Sequence, residues 1–339
     1  MNWKQHSKAF LAATLLLATL GKAQSQDTLP GGRALKVLKL MGTRFEIAAY
    51  AHDDSLAWIA VNQAIAEVER IKSLISSWDS LSQTSLLNRT AHLGPVKVDE
   101  ELYQLIARSL KTSRLTNGAF DITFSGANMA YKFDGQEHPL PEAAILRKNL
   151  LTVGYQHLKL RRKDTSVFFQ KEGLRIGFGA IGKGYAANRA REVMRAIPGV
   201  YGGVINASGD LLAWGKSYLP GGWPIKIAHP NGGKKLLAWL QTTDIAVVTS
   251  GSYFKYFTHE GQRYAHIINP HSGLPTTGIK SATIITADAE IADALATSLF
   301  VMGTDKGLAL INKLSGVEAL IINDNDEMLQ SKNLNLNYY

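Results

Sequence analysis

Apolar residues recur every three or four positions over residues 58–75, which is the period of an amphipathic helix with one buried face. The same spacing returns over residues 100–115, and Asn117 with Gly118 then supplies a typical helix end. Three later periodic stretches predict further helices at residues 185–197, 289–302 and 305–314.

Short apolar runs fill most of the remaining chain and predict strands. Residues 36–50 predict a strand pair that turns at Met41, Gly42 and Thr43. Other strands are predicted at residues 157–160, 167–170, 223–228, 236–242, 246–249, 264–268, 282–286 and 317–322, with a strand-rich half beginning at Val204. The polar residues 80–88 predict a link, and residues 125–141 a long surface loop. Helices grouped early and late around a meander of strands predict an α+β fold.

The first 25 residues have the pattern of a secretory signal peptide. Lys4 and Lys8 precede an apolar run, residues 10–20, that is too short to span a bilayer, and small residues follow at Gly21 and Ala23. We therefore expect cleavage near Ala23 or Ser25 and export to the periplasm or cell envelope, with an uncleaved membrane anchor as the alternative. The chain has no cysteine, which excludes a lipidated N-terminal cysteine and disulfide bonds.

The charge balance is basic but modest. The chain has 37 Lys and Arg residues against 28 Asp and Glu residues, a formal net charge of +9. Without the three lysines of the predicted signal peptide, an excess of six positive charges remains, and no long basic run is present. An exported protein with this balance fits an anionic small ligand, and we do not expect it to bind nucleic acid.

The most suggestive stretch for chemistry is the glycine-rich segment 175–190, in which a short apolar run leads through a glycine loop into a helix. Such a helix start presents free N–H groups to an anion. Gly177, Gly179 and Gly182 match a dinucleotide fingerprint, but no acid follows at the usual distance. Gly182 and Lys183 match most of a P-loop, but Gly184 stands where a magnesium-binding hydroxyl is needed. A strand-to-helix turn without a ligand is the alternative.

Other candidate groups lie later in the chain. Asp293 and Thr297 are four residues apart on a predicted helix, so both lie on one face, and their oxygens suit magnesium. For this pair taken alone, the preferred interpretation is an exposed aspartate that favours the helix dipole and a threonine that is simply packed. His266 precedes a Pro- and Gly-containing turn and could act as a general base, although a surface histidine is the alternative. The corner 249–251 could bind phosphate or ribose or be a plain turn. For Asp210 the preferred interpretation is structural, as an acceptor for turn N–H groups.

Taken in order, these segments resemble the ApbE family of FAD:protein FMN transferases. The resemblance runs from Met41-Gly42-Thr43 through Ser77-Trp78, the segment 118–123 and the central segment 179–187. It continues through residues 206–210, 249–251 and 266–275 to the segment 292–297. It implies a single ApbE-type α+β domain over residues 26–339, with antiparallel-rich sheets and helices packed on them.

The resemblance also implies an activity and a site. FAD would be the substrate and Mg²⁺ the cofactor, and FMN would be transferred to a threonine of a partner protein with release of AMP. The partner would be a membrane-linked redox protein. By position, the residues that would line the FAD site are Met41, Trp78, Ala119, Phe120, Asp121, Lys183 and Ile267. The Ala180 carbonyl, Asp293 and Thr297 would hold magnesium, and His266 would be the base toward the acceptor threonine.

The sequence departs from the family pattern at several positions. Many members carry an acid where this chain has Gly177, an aspartate where it has Asn269, and a glycine where it has Ser208. Phe124-Ser125-Gly126 replaces the usual Val-Gly-Pro, which predicts a reshaped loop. Two other functions stay open at this point: an FAD pyrophosphatase that releases FMN and AMP, and a flavin-binding protein without turnover.

Overall fold

The computed structural model has at its centre an eight-stranded antiparallel sheet, with helices on one face and a small sheet on the other. It describes residues 13–14, 31–127, 131–217, 219–230, 235–252 and 255–339. The predicted boundary at residues 25 and 26 lies outside these residues and stays a prediction. In the described part of the chain, no helix combines the length and the apolar composition that a membrane crossing requires.

Five of the helices lie close to the stretches that periodicity predicts, whereas those at residues 83–90 and 143–150 were not predicted. The helices are α1 (Asp54–Ile75), α2 (Gln83–Thr90), α3 (Glu100–Leu115), α4 (Ala143–Leu150), α5 (Gly182–Arg195), α6 (Ala289–Met302) and α7 (Thr304–Ile311). Short 3-10 turns form at Ile122–Gly126 and Tyr155–His157. Helix α1 begins after Asp53, whose carboxylate accepts a hydrogen bond from the Leu56 N–H at 2.8 Å.

The strands of the first half of the chain are β1 (Ala13–Thr14), β2 (Gly32–Leu40), β3 (Thr43–Ala51), β4 (Val96–Lys97), β5 (Leu158–Arg161), β6 (Ser166–Phe169), β7 (Val200–Ala207) and β8 (Asp210–Gly215). Those of the second half are β9 (Trp223–Ala228), β10 (Leu236–Thr242), β11 (Ile245–Gly251), β12 (Tyr256–His259), β13 (Gln262–Ala265), β14 (Ile279–Thr286), β15 (Val317–Asn323), β16 (Met328–Gln330) and β17 (Asn337–Tyr338).

The large sheet has the strand order β16-β15-β14-β11-β8-β7-β3-β2. Its pairs are antiparallel, and α1, α5 and α6 cover one face with an apolar core. The sheet β1-β9-β10-β17 covers the other face around Trp223 and Ile225. Most strands of the large sheet are buried on both faces, which explains why their sequences are continuous apolar runs. The α+β prediction is confirmed.

The predicted polar link is wrong, because part of it folds as helix α2. Ser82 caps this helix by accepting a hydrogen bond from the Ser85 N–H at 2.9 Å. Asn88 then anchors it to the strand-like lead-in of the glycine segment. Its amide donates to the Ile176 carbonyl at 2.9 Å and accepts from the Ile176 N–H at 2.7 Å. The sequence of α2 is polar because only one side of this short helix is buried.

The predicted surface loop has more structure than its composition indicates. Its first two residues belong to the 3-10 turn Ile122–Gly126, and its residues 128–130 lie outside the described part of the chain. Residues 135–138 then run along β12, since the Gly135 N–H donates to the Tyr256 carbonyl at 2.8 Å and the Thr258 N–H donates to the Gln136 carbonyl at 2.9 Å. The loop thereby forms a wall beside the β12–β13 hairpin.

Candidate functional site

A cavity of about 680 Å³ opens where the start of α5, one face of α6 and several strand ends of the large sheet meet. Its walls are the turn between β2 and β3, the loop after α3, the first turn of α5, the ends of β8 and β11, and α6. This size suits a small-molecule ligand. The corner 249–251, for which ligand binding and a plain turn were both open, lies on its wall.

The cavity brings together the residues that the sequence predicts, with one exception. Those that line it are Met41, Ala119, Phe120, Asp121, Ala180, Lys183, His266, Ile267, Asp293 and Thr297. They come from five separate segments, so their convergence is a property of the fold and not of sequence proximity.

Trp78 is the exception, because the structure does not place it on the cavity wall. It lies in the turn that follows α1, and 96% of it is exposed. Ser76 Oγ accepts hydrogen bonds from the N–H groups of Trp78 at 3.3 Å and Asp79 at 3.0 Å, which fixes the turn but not the indole ring. A role for Trp78 in binding FAD stays a prediction.

Close packing explains why position 184 in the glycine-rich segment is a glycine, which the sequence alone did not reveal. A Cβ at Gly184 would lie 2.0 Å from the Ala289 carbonyl oxygen and 3.0 Å from Asp293 Cβ. Helices α5 and α6 therefore cross at a distance that only glycine permits. The Gly184 N–H donates to Asp293 Oδ2 at 3.1 Å, so the residue that breaks the P-loop pattern is the one that brings Asp293 to the start of α5.

Gly184→Ala is accordingly expected to lower the free energy of unfolding by about 2 kcal/mol or more, because overpacking at the crossing outweighs the helix propensity that alanine gains. Chemical denaturation measures this. Gly179→Ala is the matched control, since a Cβ at Gly179 meets no atom within 4 Å. Equal stability of the two variants would contradict the close crossing.

Lys183 lies between two buried carboxylates at the floor of the cavity. Its Nζ is 2.9 Å from Asp210 Oδ2 and 3.2 Å from each carboxylate oxygen of Asp293. Burial disfavours the charged ammonium, but Asp210 and Asp293 outweigh that effect, so the pKa of Lys183 is raised above its usual value. Lys183 is therefore positively charged at neutral pH, and it lines the cavity.

The structure corrects the interpretation of Asp210 as a turn acceptor. Asn206 Oδ1 fills that role by accepting from the Gly209 N–H at 3.1 Å. The Asp210 carboxylate instead points to Lys183, and burial raises its pKa to about 7, with Lys183 opposing the rise and Asp293 adding to it. The sequence did contain a sign that Asp210 is not needed in the turn, because Asn206 can supply the turn with a hydrogen-bond acceptor. Lys255 also lines the cavity, and no pattern in the sequence pointed to it.

The oxygen groups on one side of the cavity fit a magnesium ion. Asp293 and Thr297 project from successive turns of α6, and Ala180 lies in the loop before α5. Carboxylate, hydroxyl and carbonyl oxygens are the ligands that a hard cation prefers. Asp210 Oδ2 is also buried and accepts no hydrogen bond of good geometry from the described residues. The described residues contain no group of three or more His, Cys, Asp or Glu side chains that could hold a metal ion. A magnesium site here therefore depends on the Thr297 hydroxyl and the Ala180 carbonyl as well as on Asp293.

His266 lies on the opposite wall, just beyond β13. Its Nδ1 is buried and has no hydrogen bond of good geometry among the described residues, and the residue lines the cavity. Burial and the nearby positive charge of Lys255 lower the pKa of His266 to about 4. The ring is therefore neutral at pH 7 and able to accept a proton. The edge of the Phe133 ring packs against it, with centroids 6.3 Å apart.

Three departures from the family pattern have local explanations. A Cβ at Gly177 would lie 2.7 Å from Ser125 Oγ, so Ser125 occupies the space that a side chain there would need. Ser208 has a φ of 52°, which glycine adopts more easily, and its hydroxyl donates to the Arg44 carbonyl at 3.0 Å. Asn269 Oδ1 accepts from the His271 N–H at 2.9 Å, as an aspartate would.

Comparisons with known proteins agree with this site. The sequence model of the ApbE family matches residues 41–321, which include the whole cavity. The chain belongs to the ApbE family. A relative from Klebsiella pneumoniae named FAD:protein FMN transferase is 30% identical over 294 residues, covering 86% of this chain and 90% of the relative. One of the same name from Treponema pallidum is 29% identical, covering 78% and 76% of the two chains.

Solved ApbE structures share the fold. The crystal structure of the ApbE protein from Thermotoga maritima superposes with a TM-score of 0.78 at 29% identity, covering 88% of this chain and 97% of the other. The flavin transferase ApbE from Vibrio cholerae, at 21% identity, has a TM-score of 0.76 with 88% and 97% coverage.

Proposed function

We propose that the protein is a magnesium-dependent FAD:protein FMN transferase that attaches FMN to a threonine hydroxyl of a partner protein and releases AMP. The observation that carries the proposal is the joint placement of Lys183, His266 and the oxygen groups of α6 around one cavity. Relatives named FAD:protein FMN transferase support the same activity.

The cavity offers complementary charges for a diphosphate. Lys183 and the positive end of the α5 helix dipole provide positive potential where the FAD diphosphate would lie. The N–H groups of Gly182 and Gly184 already donate to the Phe178 carbonyl and to Asp293. Met41, Phe120 and Ile267 supply apolar surface for the flavin. Asp121 holds this wall, because its carboxylate accepts from the Thr123 N–H at 2.8 Å and the Tyr155 N–H at 2.9 Å.

The residues suited to hold magnesium are Asp293, Thr297 and the Ala180 carbonyl. When bound, the metal would neutralise charge on the phosphates of FAD, as is usual in phosphoryl transfer. The protein's own groups position the diphosphate and exclude water on the apolar side. Lys183 adds a second positive charge that does not depend on the metal.

His266 is placed to accept the proton of the acceptor hydroxyl. In the reaction, the threonine oxygen bonds to the phosphorus on the FMN side and the bond from that phosphorus to the AMP oxygen breaks. The proton passes to neutral His266, and AMP leaves with the bridging oxygen. The phosphates bring negative charge near the imidazole, which raises its low pKa toward the range that favours proton transfer.

The acceptor is proposed to be a membrane-linked redox protein of the cell envelope, reached after export by the predicted signal peptide of residues 1–25. The exposed Trp78 and residues 131–138 do not line the cavity. Release of free FMN by hydrolysis uses the same groups with water in place of threonine, so the experiment must separate these two reactions.

The test uses membranes from cells that lack this gene. Purified protein, FAD and magnesium are added, and flavin fluorescence is recorded after denaturing electrophoresis while AMP and FMN are quantified in solution. We expect a fluorescent protein band that requires both magnesium and the enzyme, with AMP released in step with it. Equal amounts of free FMN and AMP without a fluorescent band would contradict transfer and show an FAD pyrophosphatase. Bound FAD without AMP would show a flavin-binding protein.

A further inference from the structure

Two buried carboxylates share one ammonium at the floor of the cavity. Lys183 Nζ contacts Asp210 at 2.9 Å and Asp293 at 3.2 Å. The side chains of Asp210 and Asp293 are only 4% and 3% exposed, whereas that of Lys183 is 29% exposed. All three residues line the cavity, and the lysine is the most exposed of them.

The two carboxylates differ in their other contacts. Asp293 also accepts from the Gly184 N–H at 3.1 Å, and it is the carboxylate of the proposed magnesium site. Asp210 Oδ2 accepts no hydrogen bond of good geometry from the described residues, so its charge depends on Lys183. Asp293 therefore has a second hydrogen-bond donor and a proposed metal to bind, whereas the charged partner of Asp210 is Lys183.

The backbone of Asp210 is held firmly. Asp210 is the first residue of β8, where it pairs with Val248 of β11 on one side and Ala207 of β7 on the other. Lys183, in contrast, stands on a long flexible side chain in the first turn of α5. A carboxylate fixed in the middle of the sheet is a suitable anchor for a mobile ammonium.

We propose, on the basis of the proposed function, that Asp210 is a positioning residue that retains Lys183 while Asp293 binds magnesium. A metal bound to Asp293 takes over a carboxylate that the ammonium otherwise shares. Asp210 then keeps Lys183 beside the diphosphate and away from the metal ligand. Without the Asp210 charge, Asp293 is the one carboxylate left to Lys183, and the ammonium competes with the metal for it.

A double-mutant cycle on magnesium affinity tests this coupling, because it isolates the pairwise effect of two side chains. Magnesium binding to the protein without FAD is measured by isothermal titration calorimetry in four forms: wild type, Asp210→Asn, Lys183→Met and the double variant. We expect Asp210→Asn to weaken binding about tenfold when Lys183 is present, the size of one lost charge-assisted contact. In the Lys183→Met background the same change is expected to have about a twofold effect or less.

Two results would overturn the proposal. Equal weakening in both backgrounds would mean that Asp210 acts on the metal directly, and no weakening in either would mean that Asp210 does not restrain Lys183. Asp305→Asn is the matched control, since Asp305 is an exposed acid on α7. If Asp210→Asn does not fold, Asp210→Glu preserves the carboxylate, and magnesium affinity near that of wild type is expected; a tenfold loss would count against the proposal.

The measurement needs no turnover, so it separates this proposal from the proposed function. A protein that shows the expected coupling but produces neither a flavin adduct nor AMP would overturn the transferase activity and leave the role of Asp210 intact. A protein that transfers FMN but shows no coupling would do the reverse.

Discussion

Replacement of Asp293 by alanine is expected to lower magnesium-dependent turnover of FAD by about 10³-fold or more, because a bound metal contributes several kcal/mol of transition-state stabilisation. The variant removes the carboxylate of the proposed metal site and one of the two partners of Lys183. Release of AMP at saturating FAD, recorded over a range of magnesium concentrations, measures the effect.

The control for this variant is Asp305→Ala, which removes an exposed acid from the next helix and is expected to retain full activity. Thermal unfolding of both variants shows whether the loss comes from the site or from the fold. Asp293→Ala that folds normally and retains wild-type turnover would contradict the assignment of the metal site to α6.

The second large effect is expected at His266. His266→Gln should lower transfer by about 10²–10⁴-fold, the usual contribution of a general base, while FAD binding persists. Because burial and Lys255 lower the pKa of His266 to about 4, the free enzyme keeps a neutral imidazole well below pH 6.5. The acid limb of kcat/KM should therefore fall toward pH 4 instead of near the ordinary value for histidine.

Lys255→Ala tests the cause of that shift. Removing the positive charge beside His266 stabilises the imidazolium, so the pKa rises and the acid limb moves to higher pH. Lys97→Ala, on β4, is the matched control and should leave the pH profile unchanged. A profile of Lys255→Ala that coincides with that of wild type, or one that moves to lower pH, would be inconsistent with His266 as the base.

Much of the fold follows from local patterns. The spacing of apolar residues over 58–75 predicts α1 because a stripe of three turns or more buries well against a sheet. Most predicted strands of the second half appear at nearly the predicted bounds, but the one predicted at 264–268 ends at Ala265, and β12 was not predicted. Helix α2 was missed because it is short and polar, and its stability comes from the two hydrogen bonds of Asn88 to Ile176, which lies 88 positions away. No local pattern reveals such a contact.

The candidate site, like the fold, was only partly predictable from the sequence. The resemblance to the ApbE family predicted that Asp293, Thr297, Lys183 and His266 share one site, and the structure brings them to one cavity. The partnership of Lys183 with Asp210 was not predictable, since it depends on the register that sets Asp210 opposite Val248. The need for glycine at position 184 likewise arises from the crossing of α5 and α6, which the sequence of either helix alone does not contain.

The most direct test of the central claim is to identify the product on the acceptor. The fluorescent band from the membrane assay is digested, and its flavin peptide is sequenced by mass spectrometry alongside a quantification of AMP. The account predicts FMN in phosphoester linkage to a threonine, one AMP released per adduct, and no adduct when that threonine is replaced by valine. Unmodified acceptor together with equal free FMN and AMP would contradict it.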